Sequence, residues 1–459
     1  MIDREAEREW LTTHLSGEKR QLLALYGRRR VGKTTLVTSV LDEIGAETVY
    51  FLCDQRDPEH NAQRFADRCA EVLDDVAPDV AGFAEAFRYL DARIDGRCVV
   101  ALDEFSYLVE HDETVPSVFQ TIVDDVLADS AISLVLLGSS ISMMEEGVLS
   151  YESPLYGRRT GQWRLDPLAF ADARAFFPDA DVDDQIRTYS VLGGVPAYLE
   201  QFDPDRSLLD NVEDAILSKG EFLYEEPEFL LRQELREPAT YMGILEAIAS
   251  GATRVTEIAN AIDRDASAIS RYLQNLQRLS IVDRETPVTD PDGRGLYRLT
   301  DDFLRFWFRY VAPNRGTLEQ GRTEPVRTAI AETLATHTSR TFEDICQQVV
   351  RATGDPVACS RVGRWWYGGE EIDIVGLNPE TETLLLGECK WTNTPTGTDL
   401  FDDLEALAPE VRWRGDDRRV EYALFARSGF TAELRTLADD RDDLHLYAPS
   451  ALAAALDSA

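Results

Sequence analysis

The sequence predicts an α/β chain in three successive parts. A parallel sheet with helices on both faces comes first, then a compact helix-turn-helix with a two-stranded wing, then a second, smaller α/β unit. Three observations lead there. Short apolar runs alternate with helical patterns up to about residue 140; short helices and a glycine-rich turn follow between 240 and 300; and two further apolar runs, "EEIDIVGL" and "TLLLGECKW", appear between residues 370 and 391.

Taken in order, "MIDREAEREWLTTHL" has helical spacing with Asp3 as a candidate cap. "QLLALYG" is an apolar run that ends in a glycine loop and opens a helix reaching about Ile44. "TVYFLC", "CVVALDEF" and "ISLVLLGSS" are further strands, and apolar runs of this kind belong to a parallel sheet covered on both faces. Residues 165–236 are mostly helical and more polar. From Thr240 to Thr300, "DPDGRG" makes a turn between two strand-like pieces, and "FLRFWFRYVAPNRG" closes the unit with Pro313-Asn314-Arg315-Gly316 as a linker. The rest begins with helices and ends in alternating helix and strand. The expected domains are 1–236, 237–312 and 313–459.

Composition bounds the function. The chain has 459 residues, of which 44% are hydrophobic, enough for two or more buried cores. Its 84 acidic residues against 47 basic ones give a net charge of -37, spread along the chain, with lysine only at Lys19, Lys33, Lys219 and Lys390. That is the solvated acidic surface expected of a halophilic protein. It argues against a generic polyanion binder, yet local basic patches survive it and nucleic acid stays open as a partner. Scattered cysteines and histidines without CxxC spacing argue against a zinc site or a disulfide framework. The charged N-terminus and the lack of a long apolar run predict no signal peptide, no membrane span and a cytoplasmic location.

"GRRRVGKTT" has the spacing of a phosphate-binding loop between a strand and a helix. Gly27, Arg28, Arg29, Arg30, Val31, Gly32, Lys33, Thr34 and Thr35 would wrap the phosphates of ATP. The glycines let backbone amides close on phosphate oxygens, and the helix N-terminus adds a favourable dipole. Lys33 would reach the β- and γ-phosphates and Thr34 would hold Mg²⁺. In "CVVALDEF", Asp103 would join the metal shell and Glu104 would polarise the attacking water; the same acidic pair can also simply cap the next helix. At the end of "LLGSS", Ser139 or Ser140 would sit beside the γ-phosphate.

With these motifs and "SPLYGRRTGQWRLDPL" and "LGGVPAYL", the stretch through about residue 236 resembles the archaeal ATPase family, near the STAND-type relatives of AAA+ enzymes. The resemblance implies a P-loop NTPase sheet with a helical lid. It also implies that Gly194 and Pro196 pack near the nucleotide base, and that Arg158 and Arg159 lie near the nucleotide or a neighbouring subunit. Homo-oligomerisation stays open. Solvated loop arginines and a helix-breaking turn are the plain alternatives for these residues.

In the middle unit, helices over 255–262 and 266–279 would bury Ile269, Leu273 and Leu276. Ser267, Ser270, Arg271, Gln274, Asn275 and Arg278 would face outward, a donor-rich set suited to a major groove, with Arg294 on the wing against phosphate. This resembles a winged helix-turn-helix. Such modules bind DNA or serve as packing and docking units.

In the last part, Glu388 and Lys390 stand two apart on one strand and so share a face, and Asp373 comes alongside if the strands form a hairpin. Two carboxylates would hold a divalent metal and the lysine would position water or steady developing charge. "RWWYGGEEIDIV" and "GECKW" resemble the DUF234-type domain commonly attached to archaeal ATPases, a PD-(D/E)xK nuclease-like, restriction-endonuclease-like α/β fold. Glu343, in "TFEDICQQVV", is the accessory acid the resemblance implies. Ile372 stands where that motif's name has proline. Two of the four lysines, Lys33 and Lys390, fall in motifs where a planar guanidinium cannot replace a compact ammonium. The expected function is Mg²⁺-dependent ATP binding and hydrolysis coupled to DNA binding, with metal-dependent DNA cleavage by the C-terminal domain. The alternative is a nucleotide-switched regulatory or scaffold protein with an inactive nuclease-like domain.

Overall fold

The computed structural model describes residues 4–415 and 417–456; Asp3 lies outside them. The chain folds as two compact units, Met1–Pro167 and Leu168–Ala459.

In the first unit, strands β1 (Leu22–Tyr26), β2 (Glu47–Leu52), β3 (Cys98–Asp103), β4 (Ile132–Gly138) and β5 (Gly161–Arg164) form one sheet in the order β2-β3-β4-β1-β5. Every neighbouring pair is parallel. Strand β4 therefore separates the loop-bearing β1 from the acidic β3. All residues of β1, β3 and β4 are buried. That is why each reads as an unbroken apolar run, and why the sequence located them. Short, polar β5, "GQWR", carries no such signal and was not foreseen.

The two faces have different cores. On one, Leu36, Val37 and Val40 of the helix Lys33–Leu41, with Leu11 and Leu15 of the helix Glu5–Ser16, pack on Leu23, Leu25, Val99, Ala101, Val135 and Leu137. The other face carries Phe51, whose register partner is Leu102, and a chain of rings follows it. Phe51, Phe65, Phe83, Phe87, Phe119 and Phe105 contact one another at centroid distances of 4.8 to 6.1 Å.

In the second unit the helices Val182–Leu192, Asp302–Tyr310 and Glu324–Thr353 pack together, so residues 168–236, expected in the first domain, fold with the later ones. The helices Pro238–Ala249, Val255–Ala261 and Ala266–Arg278 precede an antiparallel wing of β6 (Val282–Glu285) and β7 (Leu296–Leu299). A second sheet contains β8 (Arg361–Tyr367), β9 (Glu370–Asn378), β10 (Thr383–Lys390), β11 (Arg419–Ala426) and β12 (Leu444–Tyr447), in the order β12-β11-β10-β9-β8. Strands β8 to β10 are antiparallel neighbours and β10 to β12 parallel ones. Phe401 and Leu404 cover the face bearing Leu384 and Leu386. The long helix covers the other, where Phe342 meets Trp391 at 5.0 Å.

The expected linker Pro313–Gly316 is a correction. Residues 312–314 form a 3-10 turn that leads into a short helix, Arg315–Leu318. Arg315 lies over the Tyr224 ring at 4.5 Å and pairs with Glu228 at 2.9 Å. Proline at a helix start produces the same local cue as proline in a linker. Among the described residues no helix is long and apolar enough to cross a membrane.

Phe119 is buried and touches three of the rings. Replacing it with alanine should cost the first unit about 3–5 kcal/mol, measured by denaturant unfolding.

Candidate functional site

Backbone geometry explains the loop between β1 and the helix Lys33–Leu41. A Cβ on Gly27 would lie 2.2 Å from the Leu165 carbonyl oxygen, so only glycine fits. Arg30 and Gly32 take φ of 68° and 95°, the left-handed conformation that reverses the chain into the helix. Val31 is buried in the core beneath, and the Arg4 guanidinium donates to the Val31 carbonyl at 3.1 Å and the Asp166 carbonyl at 2.7 Å. Lys33 is buried, and its Nζ donates to the Gly27 and Arg28 carbonyls, each at 2.8 Å. Arg28 is buried, whereas Thr34 and Thr35 are exposed. Arg29 lies over the Tyr107 ring at 5.7 Å and donates to its hydroxyl.

Asp103 ends β3, on the face covered by this helix. Its Oδ2 accepts from the Thr34 hydroxyl at 2.5 Å and from the Tyr50 hydroxyl at 2.7 Å, while Oδ1 accepts from the Glu104 amide at 2.8 Å. Burial, then the Asp103 carboxylate, pushes the Tyr50 phenol well above its usual range. Glu104 has φ 55°, a left-handed turn that aims its carboxylate away from the strand, where it accepts from Ser139. Ser140 instead caps the next helical turn by accepting from the Met143 amide at 3.5 Å. The Thr34–Asp103 contact, the buried lysine and the closed glycine turn fit a Mg²⁺–nucleotide site.

Arg158 and Arg159 are both engaged within the first unit. Arg158 pairs with Asp124 at 2.7 Å; Arg159 donates to the Leu149 carbonyl at 2.9 Å and lies over Tyr156. In the second unit, the Gly194 carbonyl accepts from the Leu168 amide at 2.7 Å, and a Cβ on Gly194 would meet the Leu168 oxygen at 1.8 Å. Pro196 opens the short helix Pro196–Leu199.

On the helix Ala266–Arg278, Ile269, Leu273 and Leu276 are buried, and Ser267, Ser270, Arg271 and Gln274 are exposed, as the spacing predicts. Asn275 is a correction: it is half-buried and donates to the Tyr241 hydroxyl at 2.7 Å. Arg278 is likewise half-buried. Arg294 is exposed in the loop joining β6 to β7.

At the second sheet, β9 and β10 are antiparallel with Gly387 opposite Ile374, which brings Asp373 and Glu388 level one step further on. The Cys389 amide donates to Asp373 Oδ2 at 3.0 Å, and Lys390 Nζ to Glu388 Oε2 at 3.0 Å. Burial and then Glu388 raise the Asp373 carboxyl, and burial raises Glu388 against the pull of Lys390. Burial works against the charged Lys390, but Glu388 outweighs it and the ammonium is raised. Glu343 is raised by burial and then by Asp373, but its side chain turns to Arg364 at 2.7 Å. Two level carboxylates on neighbouring strands suit a divalent cation with oxygen ligands. Among the described residues, no group of three histidines, cysteines or carboxylates completes a metal cluster.

Three side chains at these sites escaped the sequence: Tyr50 on Asp103, Gln347, which donates to the Asp373 carbonyl at 2.9 Å, and Arg364. Each bridges residues distant in sequence, and no local spacing marks them.

Carboxyls raised by folding bind protons in the folded state that the unfolded chain releases. Their stabilising contribution is therefore complete below the ordinary carboxylate range near 4 and is lost as pH rises toward neutrality. The thermal midpoint of the second unit should fall over that window. Asp373→Asn should remove part of the slope relative to wild type, and Mn²⁺ should recover stability at neutral pH in wild type alone; differential scanning calorimetry reads all three.

Residues 1–202 match a family described as an ATPase domain predominantly from Archaea, residues 242–286 an IclR helix-turn-helix domain, and residues 307–400 archaeal and bacterial proteins of unknown function, DUF234. The chain is 34% identical over 394 residues to the uncharacterized protein MJECL04 of Methanocaldococcus jannaschii, covering 85% of this chain and 87% of that one. It is 47% identical over 60 residues to the uncharacterized protein MJ0424 of the same organism, covering 13% of this chain and 58% of that one. Among solved structures, the Walker-type ATPase PABY2304 of Pyrococcus abyssi has a TM-score of 0.51 at 21% identity, covering 67% of this chain and 96% of that one, a likeness of fold. Relatedness along most of both chains to MJECL04, with the loop and acidic strand in place, makes this chain a member of the archaeal ATPase family that carries an IclR-type helix-turn-helix and a DUF234 domain.

Proposed function

We propose that the chain is a Mg²⁺-dependent ATP hydrolase whose second unit binds DNA and cleaves it with a divalent metal. The observation that carries the hydrolase reading is the Thr34 hydroxyl on Asp103, with Glu104 next to it and Lys33 in the loop. Thr34 and Asp103 would hold Mg²⁺, which when bound neutralises charge on the β- and γ-phosphates. Lys33 places its ammonium against the same phosphates. Glu104 orients and polarises the attacking water, and Ser139, bonded to Glu104, links that carboxylate to the γ-phosphate. Tyr50 fixes the rotamer of Asp103 from the side.

The finer assignments form part of the same proposal. Residues 168–236, with Pro196, belong to the AAA+-related ATPase function, and Arg158 or Arg159 reaches the nucleotide of its own or a neighbouring subunit. Ser267, Ser270, Arg271 and Gln274 face the major groove, with Arg294 on a phosphate. Asp373 and Glu388 hold the second metal; Lys390 steadies charge on the attacked phosphodiester. The division 1–236, 237–312 and 313–459 describes these functional parts.

A second reading has a specific observation behind it. Glu343 is committed to Arg364, and no third ligand joins Asp373 and Glu388 among the described residues. That favours an inactive nuclease-like domain in a nucleotide-switched regulator.

Cleavage of plasmid and branched DNA in high-KCl buffer with Mg²⁺ or Mn²⁺, with and without ATP, separates the two. The hydrolase-nuclease reading predicts that Lys390→Ala lowers cleavage about 100-fold or more and that Lys33→Ala removes its response to ATP. ATP hydrolysis without cleavage of any substrate would sink the nuclease half. Arg271→Ala should weaken sequence-specific duplex binding by about 1–3 kcal/mol in a fluorescence anisotropy titration.

A further inference from the structure

The second sheet has two edges, β8 and β12, and they are finished differently. At β8 the Val362 carbonyl accepts from the Arg351 guanidinium and the Arg364 carbonyl from the Val288 amide, each at 2.9 Å. At β12 the Asp443 carbonyl accepts from the Tyr422 amide at 2.8 Å, and Leu444 lies level with Tyr422. Backbone groups alternate in direction along a strand, so the amides and carbonyls of Leu444 and Leu446 point away from β11. Among the described residues these outward groups have no hydrogen-bond partner. The strand, "LHLY", also lacks the usual guards of an edge, having no proline, no lysine and no bulge.

Beside this edge lies an open groove of about 450 Å³. Leu444 and Leu446 line it from β12, and Arg435, Ala438 and Asp439 line it from the helix Ala432–Asp439. Arg435 and Asp439 are exposed and stand one helical turn apart, yet neither has an ion-pair partner among the described residues. Opposite charges set this way are self-complementary. Turned end for end, the same wall presents Asp439 to Arg435 and Arg435 to Asp439. A peptide carrying one sign of charge would satisfy only half of that pattern.

We propose that β12 is the docking edge for a second copy of this chain, paired antiparallel across a two-fold axis at His445. In this register Leu444 of each copy faces Leu446 of the other, and the outward amides of each donate to the outward carbonyls of the other. The helices Ala432–Asp439 then lie antiparallel on one face of the joined sheet, and Arg435 of each copy meets Asp439 of the other. Four paired residues are too few to hold a dimer alone, so the helix pair supplies the rest of the buried area. The contact closes on itself, and with β8 already covered the sheet does not extend beyond two copies. This surface stands independently of the hydrolase, nuclease and DNA-binding readings.

The test is sedimentation velocity of the full chain at a series of protein concentrations up to about 100 μM. Wild type should reach a dimer within that range. Arg435→Asp places like charges together on both sides of the axis and should raise the dimer dissociation constant about 10-fold or more. Adding Asp439→Arg restores opposite charges and should return the constant to within about 3-fold of wild type. Leu446→Pro removes an outward amide while sparing the ladder to β11, and should leave a monomer. A wild-type chain that stays monomeric throughout overturns the proposal. A dimer indifferent to Arg435→Asp and Leu446→Pro is built on another surface and also overturns it, as does a double charge variant that fails to recover. Because Leu446→Pro can disturb β12 itself, hydrogen exchange on the wild type gives an independent answer. The Leu444 and Leu446 amides should gain protection as concentration rises through the dissociation constant, and exchange that stays the same overturns the strand pairing.

Discussion

The Asp103 carboxylate is the point on which the first unit is organised. It stands at the end of a wholly buried strand, and three donors from three segments converge on it: Thr34, Tyr50 and the Glu104 amide. A carboxylate desolvated there must be satisfied, because an unpaired buried charge costs far more than it returns. Thr34 reaches it because the helix begins directly after the loop, and a glycine at position 27 lets that loop lie against Leu165. The left-handed Glu104 follows from the same demand. With Asp103 turned toward Thr34, Glu104 in the left-handed conformation accepts from Ser139.

The second unit applies a related constraint with opposite emphasis. Asp373 and Glu388 are level on neighbouring strands, and one ammonium and one backbone amide attend them. Burial raises both carboxyls, and Lys390 and the Cys389 amide only partly relieve their mutual repulsion. Beside this pair, Arg298, Arg340 and Arg364 are shared among Glu285, Glu343, Asp344 and Glu371 in one ion-pair network.

Much of this was legible in the sequence, for physical reasons particular to each element. Strands β1, β3 and β4 announced themselves because burial on both faces removes polar residues from every position. The recognition-type helix was legible because Ile269, Leu273 and Leu276 fall on a single stripe. What stayed hidden involves partners far apart in the chain. Asn275 looked like a free donor until Tyr241, 34 residues earlier, took it up. Tyr50 sits in an ordinary alternating strand, and nothing local marks its hydroxyl as a partner of Asp103. Pro313 and Gly316 gave a linker signal that a helical turn satisfies equally well. The roles of Pro196, Arg158 and Arg159 came from family resemblance, and their local partners are structural ones.

In the proposed hydrolase Glu104 alone acts on water while its neighbours bind. The direct measurement is steady-state ATP hydrolysis with Mg²⁺, set beside nucleotide affinity, for wild type and Glu104→Gln. Nucleotide affinity should be unchanged and turnover reduced about 100-fold or more. Turnover within a few-fold of wild type would contradict it, and the acidic end of β3 would then be only a metal anchor and a helix cap.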